Sequence, residues 1–151
     1  MPEPLGRPAL PDAPRSPVTF EPTVASIVSR FVVGTLSHAE WDHAAHLAVC
    51  LSLLQAPERP EVVLDQLRRL IPAHNERVGI RPDHGAYHET ITRYFVEAVA
   101  HARPATFADL LADPTCAREA PQRHWSPAVL ASLDARRHWV EPDLAPLPWA
   151  V

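Results

Sequence analysis

The sequence predicts an all-α protein, built as a single bundle of four main helices with shorter helices after them. Apolar residues recur at helical spacing in four separate segments. Residues that favour helix starts precede several of these segments. No segment shows the period-two alternation and hairpin turns that are typical of strands. At 151 residues the chain has the length of one ordinary domain.

The first part of the chain differs from the rest in composition. Residues 1–22 contain seven prolines, few large apolar side chains and no apolar period, and such a composition favours an extended and poorly ordered chain. We therefore predict a disordered Pro-rich arm over residues 1–22. The helical domain is predicted over residues 23–140, and residues 141–151 are predicted to form an extended C-terminal tail.

Two helices are predicted at the start of the helical domain. The first begins at Thr23 and carries apolar residues at helical spacing up to Gly34, which is placed as a helix terminator. Ser37 and Glu40 are three residues apart and form a capping-box pair, which predicts that the second helix opens at Trp41. This second helix is apolar nearly all round, so we expect it at the centre of the bundle.

A third helix is predicted to start at Pro60, because proline suits the first helical position. Its apolar stripe begins at Val63 and continues towards Val78. Pro72 lies inside this segment and is expected to bend or interrupt the helix, since proline removes one backbone donor and clashes with the preceding turn.

The remaining helices are predicted from start signals and apolar spacing. A fourth helix opens at His88 and is limited by Pro104. Thr106 predicts the start of a short helix, and Ser126 followed by Pro127 predicts the start of a last helix that extends to Trp139.

The composition excludes several classes of function. The 14 basic residues are all arginine, so the chain has no lysine for a Schiff base, for pyridoxal phosphate or for a phosphate-binding P-loop. Four scattered glycines are too few for a dinucleotide fingerprint. We expect no nucleotide or pyridoxal cofactor, and the net charge of −4 argues against nucleic acid as a partner.

Sequence features also predict the location of the protein. No apolar run is long enough for a membrane helix, and the N-terminus lacks the features of a secretory signal. Cys50 and Cys116 form no C-x-x-C pair, which favours a reducing compartment. We expect a soluble cytoplasmic protein without a membrane partner, for which a small-molecule substrate and a homo-oligomer are both compatible with the sequence.

Histidines are the feature that points most directly to chemistry, and the chain has nine of them. His43 and His46 are three residues apart and therefore share one face of the second helix. His88 heads the apolar stripe of the fourth helix, and antiparallel packing could bring the two helices together. Three imidazoles with open positions would bind a divalent transition metal ion, namely zinc, iron, nickel or copper.

Two residues beside His88 are the candidate catalytic groups, Glu89 and Tyr87. Glu89 is suited to act as a fourth ligand, as an acceptor that orients an imidazole, or as a general base. The predicted function is a metal-dependent enzyme that acts on a small molecule. Two alternatives stay open at this point: metal-free acid–base chemistry by the same histidines, and a non-enzymatic interaction protein with structural histidines and an apolar docking strip around Trp149.

Four short segments carry a family resemblance. They are W-x-H-x-A-H-L at residues 41–47, Asn75-Glu76, Y-H-E-T at residues 87–90, and W-V-E-P-D at residues 139–143. On these segments the chain resembles an uncharacterised family of small bacterial helical proteins, over residues 30 to 147. It departs from the family pattern at Ala86, which separates a glycine from the tyrosine, and at Pro72. The resemblance implies that His43, His46 and His88 belong to one recurring pattern, and it implies no substrate or reaction.

Overall fold

A computed structural model describes residues 22–55, 58–81 and 87–150. These residues form α-helices and two 3₁₀ turns and contain no β-strand, which confirms the all-α prediction. No helix in these ranges is both long and apolar enough to cross a bilayer. The predicted arm lies outside the described residues except for Pro22, the first residue of the first helix. The helices are α1 (Pro22–Val33), α2 (His43–Gln55), α3 (Pro60–Arg77), α4 (Glu89–Ala102), α5 (Phe107–Ala112), α6 (Pro127–Leu130) and α7 (Leu133–Arg137), and the 3₁₀ turns are Pro114–Cys116 and Ala120–Arg123.

Helix α2 lies at the centre of the bundle, as its sequence predicts. It packs against α1, α3 and α4, and seven of its 13 residues are buried. A helix that contacts three neighbours needs apolar residues on most of its surface, which is the pattern of this segment.

The start of α2 differs from the prediction by two residues. Ser37 and Glu40 do bond to each other, with 2.8 Å between the hydroxyl and Oε1, but they close a separate turn. Asp42 caps the helix itself, because its Oδ1 accepts from the N–H of Ala45 at 2.8 Å. The prediction is thus right that Ser37 and Glu40 bond to each other, and wrong that they cap α2, which begins at His43.

The expected interruption of the third helix at Pro72 is wrong, because α3 runs unbroken from Pro60 to Arg77. Leu67 and Ile71 are buried before the proline, and His74 is buried after it. Tertiary packing therefore holds the helical turns on both sides of a residue that disfavours the helix locally.

The predicted last helix is divided into α6 and α7. The hydroxyl of Ser132 donates to the carbonyl of Val129 at 2.6 Å and accepts from the N–H of Ala135 at 3.1 Å. One serine therefore closes α6 and caps α7, since a serine hydroxyl competes with the helical backbone bonds.

The tail after α7 continues to Ala150 without helix and packs back on the bundle. Leu147 is buried. The ring of Trp149 lies 5.4 Å from that of Tyr94, and its Nε1 donates to Glu97 at 3.2 Å. In the alternative of an apolar docking strip, Leu147 is therefore covered and Trp149 is partly covered, whereas Leu144 is 57% exposed, and this alternative stays a hypothesis.

Candidate functional site

The predicted site residues lie in two different cavities. His43 and His46 line a cavity of about 480 Å³ between α2, α3 and α4, which we call the histidine cavity. Tyr87 and Glu89 line a second cavity of about 390 Å³, which we call the arginine pocket. The histidine cavity is lined by Trp41, Asp42, His43, His46, Leu47, Cys50, Leu67, Ile71, Ile91, Thr92, Phe95, Val96, Arg118 and Gln122. The arginine pocket is lined by Arg68, Tyr87, Glu89, Arg93, Arg136, Arg137, His138 and Trp139.

The histidine cavity combines an apolar wall with a few polar groups. Helices α2, α3 and α4 supply aliphatic and aromatic side chains, such as Leu47, Ile71 and Phe95. Arg118 and Gln122 approach from the segment of the 3₁₀ turns. The guanidinium of Arg118 forms no ion pair with another residue in the described ranges. This combination is typical of small-molecule sites.

His43 is oriented by a backbone carbonyl. Its Nε2 lies 2.8 Å from the carbonyl oxygen of Cys116. Because a carbonyl only accepts, Nε2 carries the proton, and a neutral ring then presents Nδ1 as an acceptor. The ring of Phe95 meets the imidazole edge-on at 4.9 Å between centroids and helps to hold its orientation.

His46 is oriented in the same way through its other nitrogen. Its Nδ1 lies 2.6 Å from the carbonyl of Asp42, so the proton resides there and Nε2 is the acceptor. The ring also stacks on Trp41 at 3.7 Å. Burial lowers the pKa of His46 to about 4, with a smaller lowering from His43, although the bond to Asp42 opposes this shift. His46 is therefore neutral at neutral pH.

His88 uses both of its ring nitrogens in structural bonds. Its Nδ1 accepts from the N–H of Ile91 at 3.2 Å and so caps α4, and its Nε2 donates to the carbonyl of Leu130 at 2.8 Å. This imidazole is not among the lining residues of either cavity. Within the described ranges no group of three or more His, Cys, Asp or Glu residues is arranged to hold a metal ion. The ligand set of His43, His46 and His88 stays a prediction.

Glu89 and Tyr87 form part of an ion-pair network. The Glu89 carboxylate accepts from Arg68 at 2.9 and 2.6 Å and from the hydroxyl of Tyr87 at 2.7 Å. Burial acts to raise the pKa of Glu89, but the bonds from Arg68 and Tyr87 outweigh it, so this pKa is lowered. Burial, with the bond to Glu89, raises the pKa of Tyr87. At neutral pH the carboxylate of Glu89 is therefore charged and the phenol of Tyr87 keeps its proton.

Sequence analysis missed the contribution of the 3₁₀ segment. Arg118 and Gln122 line the histidine cavity, and the carbonyl of Cys116 anchors His43. Short turns have no apolar period, so no pattern in this segment indicated contact with α2. Both cysteines in the described chain are buried and form no disulfide bond, and burial raises the pKa of Cys116 to about 11.

The chain was compared with protein families, curated proteins and solved structures, and nothing matches it. The resemblance to small bacterial helical proteins therefore stays a prediction.

Proposed function

We propose that the protein is an enzyme that acts on a small organic molecule bound in the histidine cavity. The observation that carries the proposal is the pairing of His43 and His46 on one cavity, each held by a backbone carbonyl. Such bonds fix the tautomer and the orientation of an imidazole, which is the arrangement that acid–base and metal-binding histidines require.

Each histidine has a defined part in this proposal. His46 is neutral and presents Nε2, so it accepts a hydrogen bond or a proton from the substrate. His43 presents Nδ1 as a second acceptor on the same helix. Two acceptors on one wall suit a substrate with neighbouring donor groups, and proton transfer between substrate and imidazole is the reaction step that they support.

The lining of the cavity indicates the substrate class. Its apolar wall suits an apolar body, and the guanidinium of Arg118 suits an acidic group on that body. The volume of about 480 Å³ lies in the range of small-molecule pockets. We therefore propose as the ligand a carboxylic acid, or a comparable oxyanion, whose apolar body carries the donor groups that His43 and His46 accept from.

The cytoplasmic location predicted from the sequence belongs to this proposal. Reduced cysteines suit a reducing compartment, and neither Cys50 nor Cys116 is in a disulfide bond.

Substitution of Arg118 tests the ligand class. We expect small aliphatic and aromatic carboxylic acids to bind the wild-type protein in isothermal titration calorimetry. Arg118→Ala should weaken that binding about tenfold or more, because it removes a charge-assisted hydrogen bond. Arg118 is exposed, so the variant should keep its thermal stability.

The matched control is Arg69→Ala, which removes the same charge from an exposed position on α3 outside the cavity. Mass spectrometry of bound acids after incubation then tests for turnover, which His46→Gln should abolish. If no acid binds at millimolar concentration, or if both arginine variants weaken binding equally, the assignment of the cavity is wrong.

The metal ion predicted from the sequence is an alternative form of the same proposal. His43 and His46 could supply two ligands, and His88 could join them only by giving up one of its two bonds, to the N–H of Ile91 or to the carbonyl of Leu130. In this form, untagged protein carries about one zinc, iron, nickel or copper ion per chain, and His46→Ala and His88→Ala lose it. If elemental analysis finds no metal after growth with all four metals, the metal form is wrong and only the acid–base form remains.

A further inference from the structure

The arginine pocket holds an excess of positive charge. Four arginines line it from three helices: Arg68 from α3, Arg93 from α4, and Arg136 and Arg137 from the last turn of α7. Glu89 is the only carboxylate among the described residues that line it. Like charges that converge on a partly enclosed space repel each other more strongly than they would in water.

Carboxylates compensate two of the four charges. Arg68 pairs with Glu89 at 2.6 Å and with Asp65. Arg93 pairs with Glu97 at 3.3 Å, and its guanidinium also lies 4.0 Å from the ring centre of Trp139. These two arginines are fixed in place, and they form one wall of the pocket.

The other two charges have no such partner. The guanidinium groups of Arg136 and Arg137 make no hydrogen bond and no ion pair with any residue in the described part of the chain. Basic residues in a last helical turn do complement the helix dipole. The dipole of α7 does not explain why arginines of α3 and α4 line the same cavity.

The positive charge of the pocket affects the pKa of a neighbouring histidine. Burial lowers the pKa of His88, and the positive charge of Arg136 lowers it further, although the bond to Leu130 opposes the shift. The pocket therefore combines an open concave volume, two guanidinium groups without partners among the described residues, and an aromatic wall formed by Trp139.

We propose that the arginine pocket binds the phosphate group of a small molecule through Arg136 and Arg137. A phosphate monoester carries close to two negative charges at neutral pH and three acceptor oxygens, which match two guanidinium groups. The volume of about 390 Å³ accepts a small organic body beside the phosphate. Trp139 offers that body an apolar surface. This site is separate from the histidine cavity and does not depend on its function.

Titration calorimetry at constant ionic strength tests the proposal in an Arg118→Ala background, which removes the guanidinium proposed to bind acids in the histidine cavity, with three probes: inorganic phosphate, phenyl phosphate and benzoate. We expect phenyl phosphate to bind and benzoate, a monoanion of similar shape, to bind at least about tenfold more weakly. Tighter binding of phenyl phosphate than of inorganic phosphate assigns the pocket to phosphate esters. Equal binding of the two assigns it to free phosphate, and either result supports the phosphate site.

Variants locate the site. Arg137→Gln should weaken phosphate binding about tenfold, and the double variant Arg136→Ala with Arg137→Ala should abolish it. Arg137 is exposed, so its single variant should fold, and an unchanged circular dichroism melt checks this. Arg69 lies outside the pocket, so Arg69→Ala should leave phosphate binding unchanged. Absence of phosphate binding, equal binding of benzoate, or an equal loss in Arg69→Ala would overturn the proposal.

Discussion

Replacement of Trp125 by alanine is expected to lower the free energy of unfolding by about 3 to 5 kcal/mol, the usual cost of truncating a buried aromatic side chain. Trp125 is completely buried. Its ring meets those of Tyr94 and Trp139 edge-on at 5.8 and 5.4 Å. The indole N–H donates to the carbonyl of Val140 at 2.9 Å, so the variant also leaves that carbonyl without its partner.

Urea denaturation followed by circular dichroism measures this loss. Leu144→Ala is the control, because Leu144 belongs to the same half of the chain and is 57% exposed, and it should change stability by less than about 0.5 kcal/mol. Trp125→Phe keeps much of the ring and should fall between the two. If Trp125→Ala lowers the free energy of unfolding by less than about 1 kcal/mol, Trp125 is not packed in the core of this half of the bundle.

The position of Trp125 shows where sequence patterns stop being informative. The four long helices could be predicted because apolar residues recur along them at helical spacing. Trp125 lies between a 3₁₀ turn and α6, in a segment without any period. Its burial results from contacts with α4 and with the chain after α7, and such contacts leave no local signal.

The candidate site was predictable to a similar extent. His43 and His46 do line one cavity, because a spacing of three residues puts them on one face of a helix. His88 is separated from them because it caps α4 and bonds to α6. Sequence spacing gives the face of a residue on its own helix, but it does not give the offset between two helices or the identity of a cap.

Helix α4 forms a wall of both cavities. Ile91 and Phe95, four residues apart, line the histidine cavity, while Glu89 and Arg93, also four apart, line the arginine pocket. The two sets lie on different faces of one helix. A ligand in either cavity therefore contacts α4, and the ion pair between Arg68 and Glu89, which joins this helix to α3, supports both sites.

Loss of the ion pair between Arg68 and Glu89 should have a large effect on stability. The Glu89 side chain is only 8% exposed, whereas Arg68 is 45% exposed. Arg68→Ala leaves a buried carboxylate with Tyr87 as its only remaining donor among the partners described above. Loss of one partner of a fully buried pair costs 3 to 5 kcal/mol, and we expect about 2 to 3 kcal/mol because Arg68 is partly solvated.

The dependence on pH distinguishes this effect from lost packing. In the wild type the pKa of Glu89 is lowered, so its stabilisation is present above the unfolded value near pH 4.3 and is lost as the pH falls through the folded pKa. In Arg68→Ala burial dominates and raises that pKa. As the pH falls, Glu89 therefore becomes protonated and the cost of its buried, unpaired charge disappears. The difference in unfolding free energy between the two proteins should therefore shrink from about pH 7 to about pH 4.

Two further variants complete the comparison in urea denaturation. Asp65 is the other carboxylate partner of Arg68, and its side chain is 67% exposed. Asp65→Ala should therefore lower the free energy of unfolding by less than about 1 kcal/mol. Adding Glu89→Gln to Arg68→Ala removes the unpaired charge and should recover part of the loss. A loss in Arg68→Ala that stays constant with pH, or that Asp65→Ala reproduces, would mean that the arginine contributes through packing of its aliphatic chain and that the Glu89 carboxylate is adequately solvated without it.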